Sequence, residues 1–512
     1  MEIELKLLIG AKHVRALRAH PLLKRYAVAP PHQLNMTDTY FDTTDLLLHS
    51  LQAGLRVRCI DQHFVQTFKS GGSVAGGLHQ REEWESPVPT ATPDLSILQH
   101  QAGRKTWWGR QLHAIARKEK LLPVFQSKVK RTVWMLRLAA GEEIECVLDL
   151  GQLGNGTHTT TIREIELELK SGKPDQLFDL ALALAADIPL QIGGLSKAER
   201  GYALCAPSTP AAVTAKRLDL NVQMPLQAVF QQITANCLEQ VQINAAVLAA
   251  IAEQESLHQM RVGLRRLKSA LSVFEAVYAV PDDLQTEMDW LAAQLGMARD
   301  WDVLAYATLP MVMKKLPAAG FLGGIADVIE AQAESLRHTL SVLIESPRYT
   351  RLMLYFSRWQ LAFPDQLQQA VKTQPGSKFS PEIYSRRMLK KYHHRLQVRG
   401  ARLAGKDPDP RAAHRLRIAS KKMRYATEFF LPFYSTKKLS HELPRLLRLQ
   451  DQLGLHNDLV VAAKLLDTLR QTHASFCGSI DFLQGFLAAC ASDREKKMRK
   501  QWKNFKPMKF FL

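Results

Sequence analysis

The sequence predicts an α+β multidomain protein: an N-terminal antiparallel β domain curled into a barrel, then a C-terminal all-α bundle built by duplication. Three observations predict it. Before about Cys205, charged and apolar residues alternate with period two in seven segments, the mark of strands with two unlike faces. After a Pro- and Ala-rich stretch the apolar period becomes helical. Within that second half, HQMRVGLRRLKSALSVFEAVY from His258 and HRLRIASKKMRYATEFFLPFY from His414 repeat one another.

The first strand is MEIELKLLIG, with Glu2, Glu4 and Lys6 on one face and Ile3, Leu5 and Leu7 on the other. LRVR (Leu55–Arg58), FVQTFK (Phe64–Lys69), LHQREEWE (Leu78–Glu85), VKRTVWMLRL (Val129–Leu138), EEIECVLDL (Glu142–Leu150) and IREIELELK (Ile162–Lys170) follow. Turn-forming SGGSVAGG (Ser70–Gly77) and GQLGNGT (Gly151–Thr157) separate strands, and a helix is expected over Gln176–Ala186. APSTPAAVTA (Ala206–Ala215) reads as a linker. The expected division is a β domain over 1–205, a linker over 206–217 and a helical domain over 218–512, with catalysis confined to the first.

In the helical half, His258, Arg261 and Arg265 fall at i, i+3 and i+7 on one face, with Lys268 close by. His414, Arg417, Lys421 and Arg424 repeat this, and the pairs Arg265/Arg266 and Lys421/Lys422 correspond. AQLGMARD (Ala293–Asp300) matches DQLGLHND (Asp451–Asp458), so the duplication spans a whole helix pair. Two such basic stripes either face a common cleft and grip a long anion or are solvated helix faces. Each histidine is single in its motif, a poor basis for metal ligation.

Charge is uneven. The chain carries 68 Lys and Arg against 49 Asp and Glu, a net +19. From Arg217 onward there are 42 against 27, leaving 26 against 22 before it, so the helical half should attract a polyanion. Six scattered cysteines without CxxC spacing read as free thiols in a reducing compartment. No signal-peptide pattern and no run of about 18 uninterrupted apolar residues is visible, so a cytoplasmic location without membrane attachment is expected. SGGSVAGG lacks the Gly-Lys-Ser/Thr of a phosphate loop, and neither a G-x-S-x-G nor a zinc-spaced Cys/His cluster occurs.

The charged strand faces carry the chemistry. Glu164, Glu166, Glu168 and Lys170 share a face, as do Arg56 and Arg58, and Arg81, Glu83 and Glu85. On any single strand a solvated sheet face explains them. Recurring in one domain, they suggest a barrel with a hydrated, charge-lined interior. Hard carboxylate oxygens suit Mg²⁺ or Mn²⁺, and Arg or Lys suits phosphate oxygens.

In order, E-x-E-x-K, LRVR, TFK, REEWE, KRTVW, VLDLG, EIELELK and SKAERGYAL resemble the CYTH domain of the triphosphate tunnel metalloenzymes over Met1–Cys205. The resemblance, closest in type to the bacterial inorganic triphosphatases, implies an eight-stranded closed tunnel holding a triphosphate and Mg²⁺, with Mn²⁺ as the other choice. It implies metal ligation by Glu2, Glu4, Glu166 and Glu168 and phosphate binding by Lys6, Arg56, Arg58, Lys69, Arg131 and Lys197. Arg81 and Lys170 are further substrate contacts or, like Glu83, Glu85, Asp149, Glu164 and Arg200, wall residues that fix their neighbours. Glu168, Lys6 and Arg56 are the expected catalytic residues, Glu168 as a base made strong by burial and crowding.

The duplicated H-x-x-R-x-x-x-[RK]-[RK] resembles the CHAD domain over Leu218–Leu512. That resemblance implies inorganic polyphosphate binding by His258, Arg261, Arg265, Arg266, His414, Arg417, Lys421 and Lys422. The basic tail Asp493–Leu512 reads as a helix end or an added polyanion contact. The expected activity is metal-dependent hydrolysis of inorganic triphosphate to pyrophosphate and phosphate. The alternatives are a polyphosphate-targeting protein with a sensor tunnel, or a tunnel acting on thiamine triphosphate or nucleoside triphosphates, adenylate cyclase included. Nucleic-acid binding by the basic half is the weakest, because few aromatics interleave its motifs. Oligomeric state is not readable.

Overall fold

Eleven strands among the described residues form one antiparallel sheet. In the computed structural model the described residues are 2–75, 77–206, 209–316, 319–361, 380–405, 411–434 and 443–503, so the end of the basic tail lies outside them. The strands are β1 (Glu2–Ile9), β2 (His32–Asp42), β3 (Gly54–Ile60), β4 (His63–Lys69), β5 (Ser73–Ala75), β6 (Leu78–Arg81), β7 (Glu83–Val88), β8 (Leu122–Arg137), β9 (Glu143–Gly154), β10 (Thr159–Ser171) and β11 (Leu190–Ile192). Their order is β5-β6-β1-β10-β9-β8-β2-β3-β4-β7, with β11 beside β1.

The sheet closes through one kinked strand. β6 pairs with β1, β7 pairs with β4, and Glu82 alone separates β6 from β7. Counting β6 and β7 together, the ring has eight strands. LHQREEWE therefore bends at Glu82 to bridge two neighbours. β2 escaped the sequence reading, although NMTDTYFD alternates and is rich in β-formers. SGGSVAGG is more than a connection, since β5 lies within it and pairs with β6.

Outward residues explain why the charges turn inward. Leu5, Leu7, Ile144, Cys146, Leu148, Ile165 and Leu167 are buried in one core with Leu177, Phe178, Ala181 and Leu184 of α1 (Asp175–Asp187). Burying each large apolar side chain is worth about 1.5–3 kcal/mol. A one-residue slip of β1 would exchange this burial for buried Glu and Lys, so the register is strongly specified.

Helix α2 (Lys197–Cys205) starts at a capping box, Ser196 with Glu199. Gly201 lets it approach β8, because a Cβ there would meet the Phe125 ring at 2.1 Å. Tyr202 Oη donates to Asp42 Oδ2 at 2.8 Å. Asp42 also accepts from the backbone of Thr43, Leu48 and His49, so the helix is fixed to a fully satisfied buried carboxylate.

The chain divides into two compact units, Met1–Pro210 with Glu345–Leu361, and Ala211–Ile344 with Ala362–Leu512. The sequence reading placed Glu345–Leu361 in the helical half. In the structure, Leu354 of the helix Pro347–Leu361 is buried in the core beneath β1 and α1, and Arg358 pairs with Asp179 of α1, Nη2 to Oδ2 at 3.1 Å.

The second unit contains the helices α3 (Leu226–Ile251), α4 (Gln254–Phe274), α5 (Asp282–Val303), α6 (Pro381–Ala404), α7 (Ala412–Phe430) and α8 (Leu443–Thr472). The hairpins α3/α4 and α6/α7 are the two repeats. Among the described residues one helical stretch, Ala474–Trp502, is long and apolar enough to cross a membrane by length and composition. Its Ile480, Leu483 and Leu487 are buried in a core cluster with Leu459, Leu466 and Leu469 of α8.

Candidate active site

The inward faces meet in a dense network of ion pairs. Lys6 Nζ lies 3.1 Å from Glu4 and 2.5 Å from Glu166. Lys197 reaches Asp149 at 2.7 Å, Glu166 at 3.0 Å and also Glu164. Arg131 pairs with Asp149 at 2.6 Å and Glu166 at 2.8 Å, and Arg200 pairs with Glu164 at 3.0 Å. Burial opposes the charges of Lys6, Arg131, Asp149, Glu166 and Lys197, and the opposite charges around them outweigh it. Glu166 is held well below the usual carboxylate range by Lys197, Lys6 and Arg131, and Lys6 is held above its ordinary value by Glu166 and Glu4.

On the opposite wall, Asp38 takes Arg58 Nε at 2.8 Å and Arg56 Nη1 at 3.2 Å. Burial raises the Asp38 carboxyl, but the two guanidinium groups hold it far below its ordinary value. Lys69 of β4 meets Glu2 of β1 at 2.6 Å and Glu83 at 3.5 Å. Arg81 donates to His79 Nδ1 at 2.9 Å, and burial with Lys6 and Arg81 nearby pushes His79 down to about 4. Thr67 donates to Glu85 at 3.1 Å.

Sequence reasoning therefore located most of this interior but missed Asp38 and His79. His79 has the parity of Arg81 and Glu83 on the same run, a signal that was present. Asp38 was lost with β2. Every cation expected to bind phosphate in the barrel is ion-paired or hydrogen-bonded inside it. Arg56 Nε and Arg81 Nε, however, are buried without a partner among the described residues, and each is a donor left for an anion.

The carboxylates divide into two groups. Asp149, Glu164 and Glu166 can bring ligand atoms within 4.8 Å of one another, but Lys197, Arg131, Lys6 and Arg200 already neutralise them. Glu168 lies opposite Glu4 across β1 and β10, and its main countercharge is Lys170 at 2.7 Å. Burial and the charges of Glu2 and Glu145 raise the Glu168 carboxyl despite Lys170. Hard carboxylate oxygens fit a divalent cation: Glu2, Glu4 and Glu168 each meet one protein cation, Lys69, Lys6 and Lys170, whereas Glu166 meets three, Lys6, Arg131 and Lys197.

In the second unit, residues of both repeats converge. Arg261 of α4 donates to Asp300 at 3.1 Å, and Arg265 donates to the Tyr425 hydroxyl of α7 at 2.7 Å. Burial first, then Arg265, Arg417 and Arg261, pushes Lys421 down to about 6 against the pull of Asp458. Arg417 Nε is buried without a partner among the described residues. His258 is lowered by burial and Arg299, so it is neutral at pH 7, while His414 is exposed. Arg266 stands apart, buried and donating to Gln240 at 2.9 Å and Asn236 at 3.0 Å; its guanidinium is occupied within the bundle. Lys422 donates to Ser272 at 3.2 Å on a different face of α7 from Lys421.

Comparison with known proteins gives these units their family. The CYTH domain model matches residues 1–202 and the CHAD domain model residues 232–467. An inorganic triphosphatase of Haemophilus influenzae is 33% identical over 204 residues, covering 40% of this chain and 54% of that protein. The chain thus spans about half the length of that relative. The crystal structure of the CHAD domain from the plant Ricinus communis aligns with a TM-score of 0.52 at 37% identity, covering 59% of this chain and 99% of that one. Residues 1–202 are a CYTH domain and residues 232–467 a CHAD domain, and the chain belongs to the proteins that join the two.

Proposed function

We propose that the chain hydrolyses inorganic triphosphate to pyrophosphate and phosphate in the barrel, dependent on a divalent cation, and binds polyphosphate through its helical unit. The observation that carries this is the inward face of the barrel, where fixed cations and the unpartnered Arg56 and Arg81 donors occur with the carboxylates of Glu2, Glu4 and Glu168. The Haemophilus relative named inorganic triphosphatase supports it.

Phosphoryl transfer needs chiefly positioning and charge stabilisation, which a rigid ring of charges supplies. Arg56, Arg58, Arg81 and Lys69 hold the phosphate chain from one wall, and Lys6, Arg131 and Lys197 from the other. Glu2, Glu4 and Glu168 would hold Mg²⁺ or Mn²⁺, which when bound neutralises phosphate oxygens and polarises water. Glu168 is the proposed proton acceptor. Arg261, Arg265, Arg417 and Lys421 form the polyphosphate cleft. A cytoplasmic location belongs to the same proposal and rests on the unpaired cysteines.

The test is phosphate release from tripolyphosphate, ATP and thiamine triphosphate with Mg²⁺. Tripolyphosphate should be preferred, and Glu4→Gln should lose at least about a hundredfold in turnover. Wild-type turnover by Glu4→Gln would remove the mechanism.

A further inference from the structure

The two helical hairpins carry the same basic pair, yet its second member meets opposite surroundings. In the first repeat Arg266 is engaged: Asn236 and Gln240 of α3 accept its hydrogen bonds, Phe429 lies under it at 5.7 Å, and Glu428, ion-paired to Arg424 at 3.5 Å, also attracts it. In the second repeat the matching residue is Lys422, 156 positions later. The residues 155 positions after Asn236 and Gln240 are Lys391 and Arg395 of α6, and the position matching Glu428 is Ser272. Two amides have become two cations, and a carboxylate has become a hydroxyl.

Contacts place these groups together. Lys422 Nζ donates to Ser272 Oγ at 3.2 Å. Tyr392 donates to the Ser272 carbonyl at 3.0 Å, and the Arg395 guanidinium lies 5.8 Å from the Tyr392 ring. Lys391 and Arg395 are exposed, and no carboxylate among the described residues pairs with either. Burial and Arg395, with Lys391 adding to it, hold the Lys422 amine below its ordinary value despite Glu275. Cations gathered at such a cost are relieved by a multivalent anion.

We propose that Lys391, Arg395 and Lys422, with the Ser272 hydroxyl, form a second oligophosphate-binding site where α4, α6 and α7 meet. It lies about 100° round α7 from the cleft that holds Lys421. It rests on the reading that the helical unit binds polyphosphate, and adds a contact that only the second repeat can make. The ligand class is an inorganic phosphate chain rather than a nucleic acid, because the rings of Tyr384 and Tyr392 on α6 are buried and offer no face for stacking.

The experiment measures binding of long-chain polyphosphate to the full chain across a salt series. Lys391→Gln with Arg395→Gln should weaken binding about tenfold and lower the salt slope by about two, with tripolyphosphate turnover unchanged. Lys314→Gln with Lys315→Gln, an equal loss of charge at exposed lysines elsewhere, should leave binding at the wild-type level. Equal losses in both double variants, or none in the first, overturn the proposal. RNA competing as well as polyphosphate overturns the ligand class. Arg261→Ala with Arg417→Ala reads the cleft separately: full binding there removes the parent reading, whereas loss there with none at Lys391 and Arg395 removes the second site alone.

Discussion

Lys6 and Glu166 are direct partners across β1 and β10, with Nζ 2.5 Å from Oε1. Glu166 is also the acceptor for Lys197 and Arg131, so one carboxylate ties three strands' worth of wall to α2. We predict that Glu166→Gln destabilises the protein by about 3–5 kcal/mol, the usual cost of stripping a buried partner from its counter-ions. Because Glu166 is depressed, its contribution is fully present above the ordinary carboxylate range near about 4 and is lost as pH falls through its folded value. The stability gap between wild type and variant, measured by urea unfolding, should therefore narrow on acidification. A gap that holds or widens as pH falls contradicts the pairing.

We predict that Lys421 makes the proposed polyphosphate binding pH-dependent. Arg261 and Arg265 of α4, Arg417 of α7, and the opposing Asp458 of α8 face it. With its amine pushed down to about 6, the unfolded chain binds this proton more tightly, so Lys421 costs stability increasingly as pH falls towards 6. A bound polyanion reverses the preference. We predict affinity rising as pH drops from about 8 to 6, by up to about tenfold per unit, with proton uptake measurable by calorimetry in buffers of different ionisation heat. Lys421→Arg, permanently charged, should flatten the profile, and an unchanged slope in that variant counts against the prediction.

Leu354 lies in the helical half of the sequence but in the core of the barrel unit. Leu354→Ala should cost about 2–5 kcal/mol by leaving a cavity under α1. Tripolyphosphate turnover should show the same fall in thermal midpoint, since β1 and β10 carry the site on their other face. A chain ending at residue 217 should be less stable for the same reason, contrary to the separability that the sequence suggests. Wild-type melting of Leu354→Ala would show that the helix does not support the barrel.

The sequence by itself determined the two periodicities, and through them the inward charges of β1 and β10, because a strand with one apolar face has only one face left for Glu4, Lys6, Glu166 and Glu168. It determined the duplication, which brings Arg265 to the same locality as Arg417 and Lys421. It determined neither Asp38, whose strand follows a loop-like polar approach, nor the role of Glu166, since one strand shows no hint of three cations arriving from β1, β8 and α2. Packing alone also gave the matching Arg266 and Lys422 unlike neighbours: amides of α3 accept from the first, while the second donates to Ser272 beside the cations of α6. Pairing partners far apart in sequence are chosen by closure of the sheet and by helix packing. Alternation fixes which way a side chain points; only the assembled fold fixes what it meets.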